Sequence, residues 1–339
     1  MTDTMRRWTL AARPEGRPTV EHFRLEEGPV PEPAQGEALV RTTWLSLDPY
    51  MRGRMDAGPS YADPVEIGGT MTGGAVGEVV ASRCGIPEGA TVLGQLGWAS
   101  HGTAREADLR VIDPDMAPPR TFLGALGMPG FTGWHGLTEI GRPKAGETLV
   151  VAAATGPVGS MVGQLAKARG LRAVGVAGGA EKCALAVEEL GFDACLDRRE
   201  HDARSLRAAL NEAAPGGVDV YFENVGGDAL VAVLPLMNVG GRIPVCGMIS
   251  WYDGAAGNGR DHLPLAWRTV LVRRLRVEGY IISDHWDRLG AFHAEVGPMV
   301  ADGRIRFRED VAEGLDAAPA AFLSMLSGGN TGKQLVRIS

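Results

Sequence analysis

The chain has 339 residues, 45% of them hydrophobic and 22% charged, and a formal charge of −7. That length suits two domains with a large core, the acidic balance argues against a nucleic-acid surface, and no apolar run reaches the ~20 residues that cross a bilayer. Glycine stands out: there are 48, about twice the usual ~7% share, with no low-complexity stretch to hold them, so they belong in turns and tight loops.

The stretch Met1 to Leu10 carries Asp3, Arg6 and Arg7 and no apolar block, so no secretory signal is expected. Residues 1–125 read as short strands separated by Pro/Gly clusters. Ala38 to Trp44 and Gly74 to Val80 are the clearest, and the region reads as a compact, mostly β domain. The four cysteines, Cys84, Cys183, Cys195 and Cys246, show no C-x2-4-C spacing and read as reduced thiols of a cytoplasmic protein.

From 126 to 303 the pattern changes. Leu149 to Ala154 is a short apolar run of the kind buried on both faces, and Val158, Met161, Val162, Leu165 and Ala166 follow at helical spacing. Ala173 to Ala177 is a second run, and a helix over Glu181 to Leu190 stops at Gly191. Further runs at 194–196, 218–222, 242–246 and 277–282 complete a strand–helix alternation, which predicts a doubly wound parallel sheet. Residues 304–339 end in a strand over Gly332 to Ile338. If that strand completes the first domain's sheet, the parallel domain is an insertion between two halves of a β domain.

The first strand–helix junction reads Ala154-Thr155-Gly156-Pro157-Val158-Gly159, a dinucleotide fingerprint with alanine in place of its first glycine. Gly156 lets backbone approach a pyrophosphate, Gly159 lets helix pack on strand, and the helix N-terminus offers free N–H groups to phosphate. The second strand ends without the acidic residue that holds an NAD ribose. It has Gly178-Gly179, and Lys182 follows in the first helical turn. That pattern predicts NADP(H) over NAD(H), with Lys182 meeting the 2′-phosphate. Arg198 is placed either to add a second cation or to remain a solvated surface residue. No His pairs closely with another His or Cys, so no metal site is expected.

Further motifs resemble one group. Trp44-Leu45-Ser46-Leu47-Asp48-Pro49-Tyr50-Met51-Arg52-Gly53-Arg54-Met55, Gly127 to Thr132, Glu223 to Gly227, Pro244 to Ser250 and Gly329 to Lys333 match in order the zinc-free branch of the medium-chain dehydrogenases/reductases. That branch includes prostaglandin/leukotriene reductases, alkenal double-bond reductases and bacterial NADPH-dependent curcumin reductases. Gly175 to Cys183 is most similar to the last of these. The stretch around Gly68-Gly69-Thr70-Met71-Thr72-Gly73-Gly74 lacks the His and Glu of the zinc enzymes.

The resemblance implies an α/β protein, a GroES-like β domain with an inserted Rossmann domain, working as a homodimer with NADPH. It implies cofactor contacts at Met128, Thr132, Gly156, Pro157, Val158, Gly179, Lys182, Asn224, Cys246, Ile249, Ser250, Asn330 and Gly332. Where the family has a phosphate-facing tyrosine, this chain has Arg198. The implied reaction is hydride transfer to the β-carbon of an enone or enal, with Tyr50, Tyr252 and Ser283 as candidate catalytic hydroxyls. The glycine-rich loop 253–260 is expected to act as a lid. Two other readings remain open: an NADPH quinone reductase of the same superfamily and a non-enzymatic nucleotide-binding protein.

Overall fold

The computed structural model describes residues 4–254 and 262–338. The backbone gathers into two compact units, Met1–Gly127 with Glu309–Ser339, and Met128–Arg308.

The first unit opens with an antiparallel pair, β1 (Thr4–Leu10) and β2 (Phe23–Pro29). Its main sheet is organised by β3 (Glu37–Ser46). A short helix α1 (Tyr50–Gly53) follows β3, then β4 (Ala75–Ser82), β5 (Thr91–Gly94), β6 (His101–Arg105) and β7 (Arg110–Val111). Along β3, Ala38, Val40 and Thr42 face the core at the two-residue spacing of a strand; a register shift between Thr42 and Trp44 then reverses the alternation, so that Leu45 also points inward.

The second unit starts with α2 (Met128–His135), which runs into a wider π-type turn at Gly136–Gly141. There follow β8 (Thr148–Ala152), α3 (Pro157–Ala168), β9 (Arg172–Ala177), α4 (Ala180–Glu188), β10 (Ala194–Asp197), α5 (Ala203–Ala213), β11 (Val218–Phe222), α6 (Gly227–Val233), β12 (Met237–Val245), α7 (Leu263–Arg273), β13 (Arg276–Gly279) and α8 (Leu289–Ala301). The six strands are parallel in the order β10-β9-β8-β11-β12-β13. All five residues of β8 are buried because the strand has neighbours on both sides and layers on both faces.

Local chemistry fixes the helices. Pro157 opens α3 directly after Gly156, where its missing N–H costs nothing. Asp202 and Ser205 cap α5 reciprocally, the Asp202 carboxylate accepting from the Ser205 N–H at 2.7 Å. Leu206 and Leu210, one turn apart, then anchor α5 in the core beside Val174 and Val176. In α4 only Leu185 and Ala186 are buried, so that helix rides on the surface.

The chain leaves the second unit at Glu309, not at 304 as the sequence suggests, and enters it after 127 rather than 125. Residues 304–308 stay because Ile305 N–H donates to Met299 O at 2.8 Å and Arg306 exchanges bonds with the Gln164 amide at 2.7 and 2.8 Å. The return consists of β14 (Glu309–Glu313), α9 (Ala318–Leu326) and β15 (Lys333–Arg337). β15 pairs antiparallel with β3, giving a sheet ordered β14-β15-β3-β4-β5-β7 with β6 also on β3. Phe322 of α9 stands edge-on to Trp98 at 5.3 Å, and Trp98 stacks on Phe23 at 5.4 Å. The last helix thereby completes the first unit's core.

Candidate active site

In a doubly wound sheet the strand order reverses between its first and fourth strands, and ligands bind beyond the carboxyl ends there. In this chain that point lies between β8 and β11. Asn224, just past β11, donates its side-chain N–H to Ala152 O at the end of β8, 2.9 Å away. The residue expected to touch cofactor thus also ties the two strands at the switch point.

The turn after β8 holds the fingerprint. Ala153 adopts φ +54, a left-handed conformation unusual for a residue with a Cβ. Its carbonyl accepts from the Gly156 N–H at 3.0 Å. A Cβ on Gly159 would be driven into that same carbonyl oxygen, whereas one on Gly156 would stand 3.3 Å from it, with nothing else of the chain within 4 Å. The backbone itself therefore excludes a side chain at Gly159. Gly156, Pro157 and Val158, at the helix N-terminus, are half-buried.

After β9, Gly179 takes φ +109 and caps α4. Its N–H donates to Asp197 Oδ1 at 2.7 Å, and the same oxygen accepts from Arg199 N–H at 2.9 Å. These bonds, Arg199's before Gly179's, hold the Asp197 carboxyl below its usual range. A Cβ on Gly178 would lie 3.2 Å from Arg198 Nε, and one on Gly179 3.2 Å from Arg199 Nη1. Both guanidinium groups therefore lie over the glycine pair, and half-buried Lys182 follows on α4. Arg199 is absent from the sequence-based set; its only signal there was adjacency to Arg198.

Past β11, Glu223 is 2% exposed. Its Oε1 accepts from Val225 N–H at 2.6 Å and Gly226 N–H at 2.8 Å, yet burial still pushes its carboxyl above the usual range. Glu223 O accepts from Cys246 and Gly247 N–H, fastening the turn past β12 to the turn past β11. Sequence reasoning quoted this residue without giving it a role. An acid at the end of an apolar strand, just before Gly226-Gly227, was the available signal.

The turn past β12 carries Cys246, Ile249, Ser250 and Tyr252. Ser250 donates its hydroxyl to Val225 O at 2.5 Å, and the Tyr252 hydroxyl oxygen accepts from Met248 N–H at 3.4 Å. Burial pushes the Cys246 thiol up to about 12. The Tyr280 hydroxyl faces that thiol and donates to Thr132 O at 2.9 Å, over Gly136. Thr132 donates its own hydroxyl to Met128 O at 2.7 Å. The structure thus joins Met128, Thr132, Tyr280 and Cys246 into one cluster; Tyr280 was not foreseen. Ser283 stands exposed on the 3-10 turn Ile282–Arg288. Of the expected lid, residues 255–260 lie outside the described residues.

The first unit holds the other expected residues. Tyr50 opens α1, with the Arg54 guanidinium 6.0 Å from its ring centroid. Burial, and then the Asp48 carboxylate, push its hydroxyl well above the ordinary value, so it stays protonated. Asn330 donates its side-chain N–H to Gly332 O at 2.6 Å, and Asp310 Oδ2 accepts from Thr331 and Gly332 N–H at 2.9 and 2.6 Å. Two glycine-turn residues and a strand start, Lys333, are thereby set in one fixed turn.

A fingerprint turn at the switch point of a sheet ordered 3-2-1-4-5-6 defines a dinucleotide-binding fold. Residues 6–112 match the family described as N-terminal domain of oxidoreductase, and 157–295 the family described as zinc-binding dehydrogenase. The chain is 50% identical over 337 residues to the NADPH-dependent curcumin reductase of Escherichia coli, covering 98% of this chain and 97% of that one. It is 39% identical to prostaglandin reductase 1 of Rattus norvegicus, over 97% and 98% of the two chains. The crystal structure of CurA from Vibrio vulnificus in complex with NADPH superposes with a TM-score of 0.93 at 45% identity, covering 98% and 99%. The chain belongs to the medium-chain dehydrogenase/reductase superfamily, in the branch of prostaglandin and alkenal reductases. Zinc, which the second family's description implies, does not fit: among the described residues no three His, Cys, Asp or Glu side chains converge as a metal set.

Proposed function

We propose that this protein is an NADPH-dependent reductase of carbon–carbon double bonds conjugated to a ketone or aldehyde. The observation that carries the reading is its full-length likeness, at 50% identity, to an NADPH-dependent curcumin reductase. The cations over Gly178-Gly179 support the choice of cofactor.

When bound, NADPH supplies the hydride that reaches the β-carbon of the substrate. Gly156, Pro157 and Val158 present the α3 N-terminus to the pyrophosphate. Lys182, Arg198 and Arg199 meet the 2′-phosphate beside Gly179. Asn224, Cys246, Ile249 and Ser250, with Met128 and Thr132, hold the nicotinamide end. Negative charge then builds on the substrate's carbonyl oxygen. A tyrosine hydroxyl, Tyr252 or Tyr50, donates a hydrogen bond to it, typically worth about 3–4 kcal/mol for a well-placed donor. Tyr50 suits this because its surroundings keep it protonated. Ser283, exposed in its unit, assists as a third hydroxyl, and the α-carbon takes its proton from water or one of these groups.

The test is steady-state oxidation of NADPH with a 2-alkenal, a diaryl enone and a quinone, with products identified by mass. Saturated carbonyl products support the reading; turnover of the quinone alone would replace it by a quinone reductase. Lys182→Ala is expected to raise KM for NADPH and leave that for NADH unchanged.

The protein works as a homodimer in the cytoplasm. β13 is one edge of its sheet among the described residues, and the adjoining α7 exposes Trp267 and Leu271 at 64% and 76%. Sedimentation of Trp267→Glu/Leu271→Glu should yield monomers. No described helix is long and apolar enough to cross a membrane.

A further inference from the structure

Two of the four cysteines touch. Cys183 lies on α4, one residue after Lys182, and Cys195 lies on β10, two residues before Asp197. Their Sγ atoms are 3.3 Å apart. Both thiols are free and both residues are half-buried. Cys195 Sγ also rests against Gly175, where a Cβ would stand 3.1 Å away.

We propose that Cys183 and Cys195 form an oxidisable dithiol, closed to a disulfide by a low-molecular-weight disulfide such as oxidised glutathione, and that closure weakens NADPH binding at the adjoining glycine turn. The coupling rests on the reading of Gly179, Lys182 and Arg198 as the 2′-phosphate end; the disulfide site does not. The Cys183 thiolate attacks one sulfur of oxidised glutathione, forming a mixed disulfide and releasing one glutathione. The Cys195 thiolate then attacks the Cys183 sulfur and expels the second. The protein loses two protons and two electrons, and the glutathione disulfide is reduced to two thiols.

Geometry supplies the coupling. A disulfide holds its sulfurs about 2.05 Å apart, so closure draws α4 and β10 together. α4 is the element free to move, since Leu185 and Ala186 are its buried residues. It carries Lys182 and follows Gly179, whose N–H is held by Asp197 at the end of β10. A shift of α4 changes the spacing of Lys182 from Arg198 and Arg199. Burial pushes both thiols up, Cys195 by the larger amount. Cys183 is therefore the attacking group, and the reaction accelerates as pH rises.

The experiment treats the full-length protein with oxidised glutathione at mildly alkaline pH, maps disulfides by peptide mass, and measures NADPH Kd by fluorescence titration before and after. The expected result is a Cys183–Cys195 linked peptide, absent from Cys183→Ser and Cys195→Ser. With it comes a rise in Kd of at least about fivefold, the lower end of ordinary coupling between sites, reversed by dithiothreitol. A persistent glutathione adduct on Cys183, or oxidation confined to Cys84 and Cys246, overturns the dithiol site. A mapped Cys183–Cys195 link with unchanged Kd overturns the coupling. Failure of the reduced protein to bind NADPH is a distinct result that sinks the cofactor reading; the peptide map is scored independently of it.

Discussion

Lys333 at the start of β15 and Asp48, two residues past the end of β3, form an ion pair, Nζ to Oδ1 2.7 Å, with side chains 3% and 7% exposed. Lys333 also donates to Leu47 O at 2.6 Å, and Asp48 also accepts from the Ser46 hydroxyl. Burial pulls the Lys333 ammonium below its ordinary value, against the attraction of Asp48. Such a pair gives little net stability, but breaking it strands a buried charge. Lys333→Met should therefore cost about 3–5 kcal/mol in urea unfolding. Lys333→Met/Asp48→Leu should recover most of that loss, because neither charge remains to be desolvated. A double variant no more stable than the single would refute this.

Gly156 and Gly159 should separate in their effects. Gly159→Ala places a methyl group into Ala153 O and should destabilise the fold by about 1–3 kcal/mol. A Cβ at Gly156 would meet that oxygen at 3.3 Å, a tight contact that a shift of a few tenths of an ångström relieves, so Gly156→Ala should cost less stability than Gly159→Ala while raising the Kd for NADPH. Equal thermal destabilisation of both variants would count against the distinction.

Glu223 makes a pH prediction. Its carboxyl is held above the usual value by burial, so the folded state binds this proton more tightly than the unfolded chain. Wild-type stability should fall as pH rises from about 4.3, the ordinary carboxylate value, through the raised folded value. Glu223→Gln keeps an oxygen for the Val225 and Gly226 N–H groups and removes the charge. Its unfolding free energy should lack that fall; parallel pH curves for the two proteins would exclude it.

His135 predicts the opposite slope. Its ring stacks on His285 with centroids 4.0 Å apart, and its Nδ1 has no hydrogen-bond partner among the described residues. Burial, then His285, hold it below its ordinary value; Arg288 adds to this, while Glu139 and Asp287 oppose it. The folded state thus resists protonation, and stability should be lost as pH falls from about 6.5 through the lowered value. His135→Phe should flatten that acid limb in calorimetric scans. An unchanged limb would place its origin elsewhere.

Much of the second unit was legible in the sequence because buried parallel strands are nearly continuous apolar runs, as at Leu149 to Ala152, and because Gly156-Pro157 marks a helix start. The chain's departure point at Glu309 was not legible. It depends on Arg306 bonding the Gln164 amide, a contact across 142 positions that local pattern does not encode. Arg199 and Tyr280 were missed for the same reason. A surface arginine and a strand-end tyrosine look ordinary until the fold sets one over Gly179 and the other against Thr132 and Cys246. Tyr50 and Tyr252 were named from resemblance; propensity and spacing alone do not distinguish them from other loop tyrosines.

The left-handed turn at Ala153 also bears on how this sequence is free to drift. One backbone carbonyl forbids a side chain at Gly159 whether or not any nucleotide is ever bound, whereas at Gly156 the same oxygen would be met only at 3.3 Å, a contact that a small shift relieves. A descendant that abandoned NADPH while keeping its fold would be expected to retain glycine at 159 and lose it at 156. Among distant kin, the residue at 156 is therefore the better witness to a working enzyme.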